Sequence, residues 1–245
     1  MVFVGSSAAQ YVKVGIDGQI PSGRLDEMNS MLEMADAGQK AGLLTRLGVE
    51  NAVATDVAEH LLPGDKIELR PVRTRGTAHY GVAFLPSGTG VSCYLYLLRG
   101  SDEDSAKIPW HVIDHRQLDC WGGSSSLELN PLRSRDEDDL LLHGVTGGHG
   151  SGLVLKEMQI FSVLNGRLQE TLRTEDYRSQ DDFPSDQKVL EKSTFLRFPD
   201  GALEETRTSA VNDRLEKVER RYWSWSGEQQ KFLANGFLKV ATPTS

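Results

Sequence analysis

Apolar residues recur every three or four positions through the first quarter of the chain. Leu25, Met28, Leu32 and Ala35 stand at helical spacing, with Ser22 near the start and Gly38 at the stop, and they predict a helix. A shorter helical segment covers 41–47 and ends at Gly48. A third, from about 55 to 62, is terminated by Pro63-Gly64-Asp65. Met28, Met31 and Met34 all fall within the first of these helices and read as packing residues.

After Pro63 the period drops to that of strands. Segments 67–72, 79–85, 91–98 and 110–115 are short, apolar-rich and bounded by Gly, Pro and Ser. The same grammar then recurs. Ile67-Glu68-Leu69-Arg70-Pro71-Val72-Arg73-Thr74-Arg75 lies over Leu127-Glu128-Leu129-Asn130-Pro131-Leu132-Arg133-Ser134-Arg135 without gaps, at an offset of 60. In the same register Gly88 and Gly90 fall on Gly148 and Gly150. This predicts a duplicated four-strand unit. Leu164-Asn165-Gly166-Arg167 supplies a hairpin turn, because Asn-Gly tolerates the positive φ of a type I′ turn.

A third, degenerate unit follows, with 195–198 and 202–208 flanking Pro199-Asp200-Gly201 and 218–225 and 229–233 flanking Ser226-Gly227. The polar, acidic stretch 174–187 between the second and third units reads as an exposed loop. The expected organisation has three parts. Residues 1–10 are a truncated signal peptide or a first strand, 11–64 a helical N-terminal segment, and 65–240 a β-repeat domain of units at about 65–120, 125–175 and 188–235. The fold class is mostly β, with internally repeated four-strand antiparallel units arranged as a sandwich or as propeller blades.

Charge narrows the partners. The 245 residues carry 35 acidic against 27 basic side chains, a net charge of −8, which disfavours tracking of nucleic-acid phosphates or anionic membrane. The densest basic cluster, Lys217 with Arg220-Arg221, is laced with Glu216 and Glu219 and reads as a solvated strand face. No apolar run reaches the eighteen or so residues of a membrane span. Residues 2–9 look like the tail of a signal peptide, with Ser7 and Ala9 at the small-residue positions before a cleavage site. The expected location is therefore periplasmic or secreted, with the cytoplasm as the alternative. Cys93 and Cys120 would form a disulfide in the first case and small core residues in the second.

Candidate chemistry concentrates in the histidines. His111 and His115 lie at even spacing on one predicted strand, which would place them on one face. His143 and His149 flank a Gly-rich turn. With these four as ligands the chain would be a metal-dependent hydrolase. Asp114 with His115 and Asp56 with His60 are further acid/base pairs of a kind any chain this long offers.

The run Arg133-Ser134-Arg135-Asp136-Glu137-Asp138-Asp139 followed by Leu140-Leu141-Leu142 resembles, over about ten residues, the acidic loop and following strand of FG-GAP-type propeller repeats, which often hold calcium. The D-x-D-x-D-G spacing of that loop is absent here, and no calcium ligand is carried over. The glycines of 147–152 lack the Lys-Ser/Thr ending of a phosphate loop, and His149 stands where a nucleophile elbow needs serine.

Trp223 and Trp225 share a predicted strand face and offer a ligand platform, against the commoner fate of capping the core. With no complete catalytic motif, the expected function is that of a non-enzymatic, extracytoplasmic β-repeat protein. It would bind a partner protein, an envelope polymer or a small ligand, with no nucleic acid and no cofactor specified.

Overall fold

The computed structural model describes residues 23–86, 92–101, 110–120, 125–147, 152–182, 187–198 and 201–240. Three helices, α1 (Gly23–Met34), α2 (Ala37–Leu47) and α3 (Asn51–His60), precede thirteen strands. β1 (Glu68–Val72), β2 (Tyr80–Leu85), β3 (Ser92–Gly100) and β4 (Trp110–Asp119) form a four-stranded antiparallel meander, the small sheet. The large sheet is a nine-stranded antiparallel meander. It runs from β5 (Ser126–Ser134) through β6 (Glu137–Gly147), β7 (Leu153–Leu164), β8 (Arg167–Asp182), β9 (Gln187–Arg197), β10 (Leu203–Val211) and β11 (Arg214–Ser226) to β12 (Lys231–Ala234). β13 (Leu238–Val240) pairs back onto β11. The two sheets pack as a sandwich, as the strand patterning predicts.

The helices form for local reasons. Asp36 caps α2 by accepting the Gln39 N–H at 2.8 Å, while the Gln39 side chain accepts the Asp36 N–H at 3.1 Å, a reciprocal capping box. Gly48 ends α2 at φ 100°, a left-handed conformation that favours glycine. A Cβ there would also meet the Val112 side chain at 3.4 Å, so the same residue lets the helix end dock on β4.

The small sheet is the middle layer. Ala83, Leu85, Tyr96, Leu98 and Trp110 meet Leu25, Leu32, Leu44, Leu47 and Val57 of the helices. From the opposite face Val82, Phe84, Leu95 and Leu97 meet Leu140, Leu142, Phe161 and Val163 of the large sheet. Burial on both faces explains why β2 and β3 read as unbroken apolar runs rather than alternating ones. Asn29 protects the β1 edge: its side chain donates to Leu69 O at 2.8 Å and accepts the Leu69 N–H at 2.9 Å. Cys93 and Cys120, with Cα atoms 5.5 Å apart and both buried, are joined by a disulfide across the end of the β3–β4 hairpin.

The sheets are seamed at two places. The Asp138 N–H donates to Arg73 O at 2.9 Å, and the Asp138 carboxylate accepts the Arg73 N–H and guanidinium. At the other seam Asp114 accepts the Leu168 N–H at 2.8 Å and Arg116 donates to Leu168 O.

The large sheet curls around a core of its own, made of Leu132, Met158, Ile160, Leu172, Leu203, Trp223 and Phe232. Closure is visible at one end, where β12 approaches β8 and the Gln169 side chain donates to Gln230 O at 3.3 Å. The β9–β10 turn lands there on β5. A Cβ on Gly201 (φ 88°) would sit 3.2 Å from Leu132 O.

One expectation is corrected by this architecture. Residues 174–182 are strand rather than loop, the second half of β8. The stretch pairs Glu175 with Arg178 at its partly exposed surface, exposes Gln180 and Asp181, and buries Thr174 and Ser179. β8 pairs directly with β9, so the large sheet runs on through this region. Both the first and second predicted units are four-strand meanders, but their pairing registers differ. Leu69 lies opposite Ala83, whereas Leu129 lies opposite Leu140 rather than His143. The hairpin at Asn165-Gly166 forms with both residues at positive φ, 52° and 71°, as Asn-Gly predicts.

Candidate functional site

The concave face of the large sheet carries two buried carboxylates, one on each side of its apolar core. Asp139, with no exposed surface, repairs a defect. Pro131 has no N–H, and the β5–β6 ladder breaks between Asn130 and Ser134. The Leu132 and Arg133 N–H groups donate instead to Asp139 Oδ2, at 3.2 and 3.0 Å. Asp139 Oδ1 accepts Ser162 Oγ at 2.6 Å and the Arg133 guanidinium, which lies 5.1 Å from the Trp225 ring centroid.

Glu205 is the second and richer centre. β10 places Leu203, Glu205 and Arg207 on the concave face, and antiparallel pairing sets Glu205 opposite Arg221 and Leu203 opposite Trp223. Glu205 also has no exposed surface. Its Oε1 accepts Ser193 Oγ at 2.7 Å and Arg207 Nη2 at 3.0 Å. Its Oε2 accepts Arg221 Nε at 2.6 Å and Trp223 Nε1 at 3.0 Å. Arg221 Nη2 continues to Thr174 Oγ1 at 2.8 Å, and Arg207 Nη2 to Glu175 O at 3.3 Å. Four bonds on one carboxylate satisfy it fully, which burial of a charge requires.

The Phe237 ring lies over both cations, 4.7 Å from Arg207 and 4.3 Å from Arg221. Beside the cluster Asp176, Arg178, Glu191, Ser193 and Arg207 line a depression too shallow to enclose even a water molecule. The neighbouring acids have partners of their own, and Glu175 also feels the charge of Arg207. Glu175 pairs with Arg178 at 2.9 Å, which holds its carboxyl below the usual range, and Glu219 pairs with Lys217 at 2.7 Å.

The histidines do not converge. A bulge between Leu97 and Leu98 skips Ile113, so His115 lies opposite Tyr96 on the helix face while His111 lies opposite Arg99 on the other. Even spacing therefore fails to put His111 and His115 on one side. His115 stacks on Tyr96, with centroids 5.4 Å apart, and its Nε2 is 3.8 Å from Glu50. The buried Tyr96 hydroxyl donates to Glu50 at 2.6 Å; burial pushes that phenol up, and the bond holds Glu50 below its ordinary value.

His143, on β6 of the large sheet, has its Nδ1 3.1 Å from Asp176 Oδ2. That hydrogen bond, with the charges of Asp176 and Glu128, raises its pKa against the opposing effect of burial. His149 lies outside the described residues. No group of three His, Cys, Asp or Glu side chains is placed to hold a metal among the described residues.

Other candidates also find structural partners. Asp114 faces the large sheet and accepts the Leu168 N–H, and its bond with His115 is to that residue's backbone N–H at 3.0 Å. Asp56 and His60 form an exposed i,i+4 pair at 3.2 Å on α3. Of the acidic run, Asp138 is tied to Arg73 and Asp139 to Arg133, and neither is free for calcium. Trp223 is buried with its N–H on Glu205, and Trp225 packs edge-on against Phe232 at 5.4 Å, so both belong to the large-sheet core. Arg221, expected on a solvated face, points inward. A strand sends alternate residues to opposite sides, and only its neighbour Arg220 faces out.

These features define a helix-capped, two-sheet β protein with a carboxylate–arginine centre inside its larger sheet. No protein-family model, curated protein or solved structure matches the chain. Among the described residues no helix is long and apolar enough to cross a membrane.

Proposed function

We propose that this chain is a non-enzymatic, extracytoplasmic binding protein, a disulfide-tied β scaffold for a partner protein, an envelope polymer or a small ligand. The observation that carries the reading is the Cys93–Cys120 bridge, because such bonds persist in oxidising compartments and are rare in the cytosol. The interior supports the non-enzymatic part. Asp139 and Glu205 each spend their oxygens on arginine, hydroxyl and N–H donors, an arrangement that stabilises a scaffold rather than freeing a base or nucleophile.

Fractionation of cells expressing the full-length native protein, with thiol alkylation under denaturing conditions, tests the proposal. Recovery outside the cytoplasm with both cysteines protected until reduction is the expected result. A cytoplasmic protein with two freely alkylated thiols would overturn it. The metal-hydrolase reading gains no support from the placement of His111, His115 and His143; about one equivalent of zinc in chelator-free protein would revive it.

A further inference from the structure

Phe237 is an aromatic ring in an odd place. It belongs to none of the three apolar cores, and its ring is stacked instead on the guanidiniums of Arg207 and Arg221. The segment that carries it is thinly attached. Asn235 N–H donates to Tyr222 O at 3.0 Å, and β13 then pairs with β11 at Val218, Glu219 and Arg220 only, against nine paired positions between β10 and β11. Gly236 has nothing within 4 Å of where a Cβ would stand, and Leu238 is 63% exposed.

Beneath the ring two arginines share one carboxylate. Glu175 and Glu219 are occupied by Arg178 and Lys217, and Glu191 accepts Ser209 Oγ at 3.2 Å and acts on Arg178. Asp176 and Glu191 line the depression beside Arg207, Glu175 acts on Arg207 as well as on Arg178, and Glu219 lies opposite Arg207. The feature that marks the site is therefore two guanidiniums side by side under one ring and not a net positive field.

We propose that residues 235–240 are a displaceable strap, and that lifting Phe237 opens a two-arginine site for an anionic group, carboxylate or phosphate, on Arg207 and Arg221. The ring is the stand-in occupant. It offers a π face to two cations that would bind a planar or tetrahedral anion more strongly through charge-assisted hydrogen bonds. Glu205 pre-orients both guanidiniums from below, so the site needs no assembly once the strap moves. Its chemistry is independent of the compartment, so failure of the extracytoplasmic reading leaves it standing. If correct, it narrows the ligand of the binding protein to one bearing an exposed acid group.

Inorganic pyrophosphate serves as a phosphate probe and citrate as a carboxylate probe, each titrated calorimetrically into the native chain, Phe237→Ala and Phe237→Ala/Arg207→Gln. Removing the ring should tighten binding of at least one probe about tenfold, since the competent state no longer competes with the closed one. The second substitution should return affinity to the native level. Preference for one probe identifies the anion class. Equal, weak binding of both probes by native and Phe237→Ala protein would overturn the proposal.

If Phe237→Ala does not fold, hydrogen exchange on the native chain decides. Either probe should speed exchange at 238–240 while leaving 203–211 unchanged. No change at 238–240 with both probes at saturating concentration would equally refute it.

Discussion

The two sheets solve the same burial problem with different chemistry. The small sheet is apolar on both faces, and Val82, Ala83, Leu85, Leu95, Leu97 and Leu98 have no exposed surface. Polar groups meet backbone at its edges, Asn29 of α1 on β1 and Asp114 and Arg116 of β4 on Leu168. The large sheet has an apolar core of seven buried residues, but flanks it with two carboxylates that are equally inaccessible. Hydrophobic packing tolerates loss of contacts gradually, whereas a buried charge deprived of its partner becomes a defect in itself. The small sheet should therefore respond to side-chain volume, and the large sheet to pairing.

The sharpest break of that contrast is Glu205→Ala. Arg207 and Arg221 would keep their charges without a shared acceptor, and chemical denaturation should show a loss of about 3–5 kcal/mol. In the small sheet Leu97→Ala should cost about 2–5 kcal/mol by creating a cavity, with a loss that does not depend on salt. Reduction of Cys93–Cys120 should lower stability by about 3 kcal/mol, since the bond closes a loop of 27 residues; an unchanged denaturation midpoint after complete reduction would contradict it.

The smallest effect expected is at His143. Its pKa is raised in the folded state, so its contribution is complete below the ordinary histidine value near 6.5 and vanishes as pH rises through the folded-state value. With a side chain 35% exposed, solvent screening keeps this under about 1 kcal/mol. His143→Gln should then be less stable than the native chain at pH 5.5 and indistinguishable from it at pH 8.5, as read from melting temperatures.

Much of the small sheet and the helices was legible because each element depends on local pattern. Gly48, Pro63 and the apolar runs mark their own boundaries, and Asn165-Gly166 carries its turn type in its side chains. What escaped depends on pairing between distant strands. The bulge at Ile113 reverses the face of every residue before it, so counting by twos misplaces His111 relative to His115. The Glu205 centre leaves a signal, Leu203-Glu204-Glu205-Thr206-Arg207 and Arg221-Tyr222-Trp223 each alternating charge with an apolar anchor. Only the register that sets Leu203 against Trp223 shows that Glu205 and Arg221 face inward together. The stretch 174–182 reads as a loop for the same reason: a polar strand that buries only Thr174 and Ser179 carries no hydrophobic alternation.

A double-mutant cycle between Glu205 and Arg221 tests the central contrast most directly, using urea unfolding of Glu205→Leu, Arg221→Met and the pair. If the large sheet is held by the pairing of its buried charges, the double variant will be more stable than the sum of the single losses requires, with a coupling of about 1–3 kcal/mol. Losses that add within about 0.5 kcal/mol would mean that the two residues act independently, and that the large sheet, like the small one, stands on its apolar core alone.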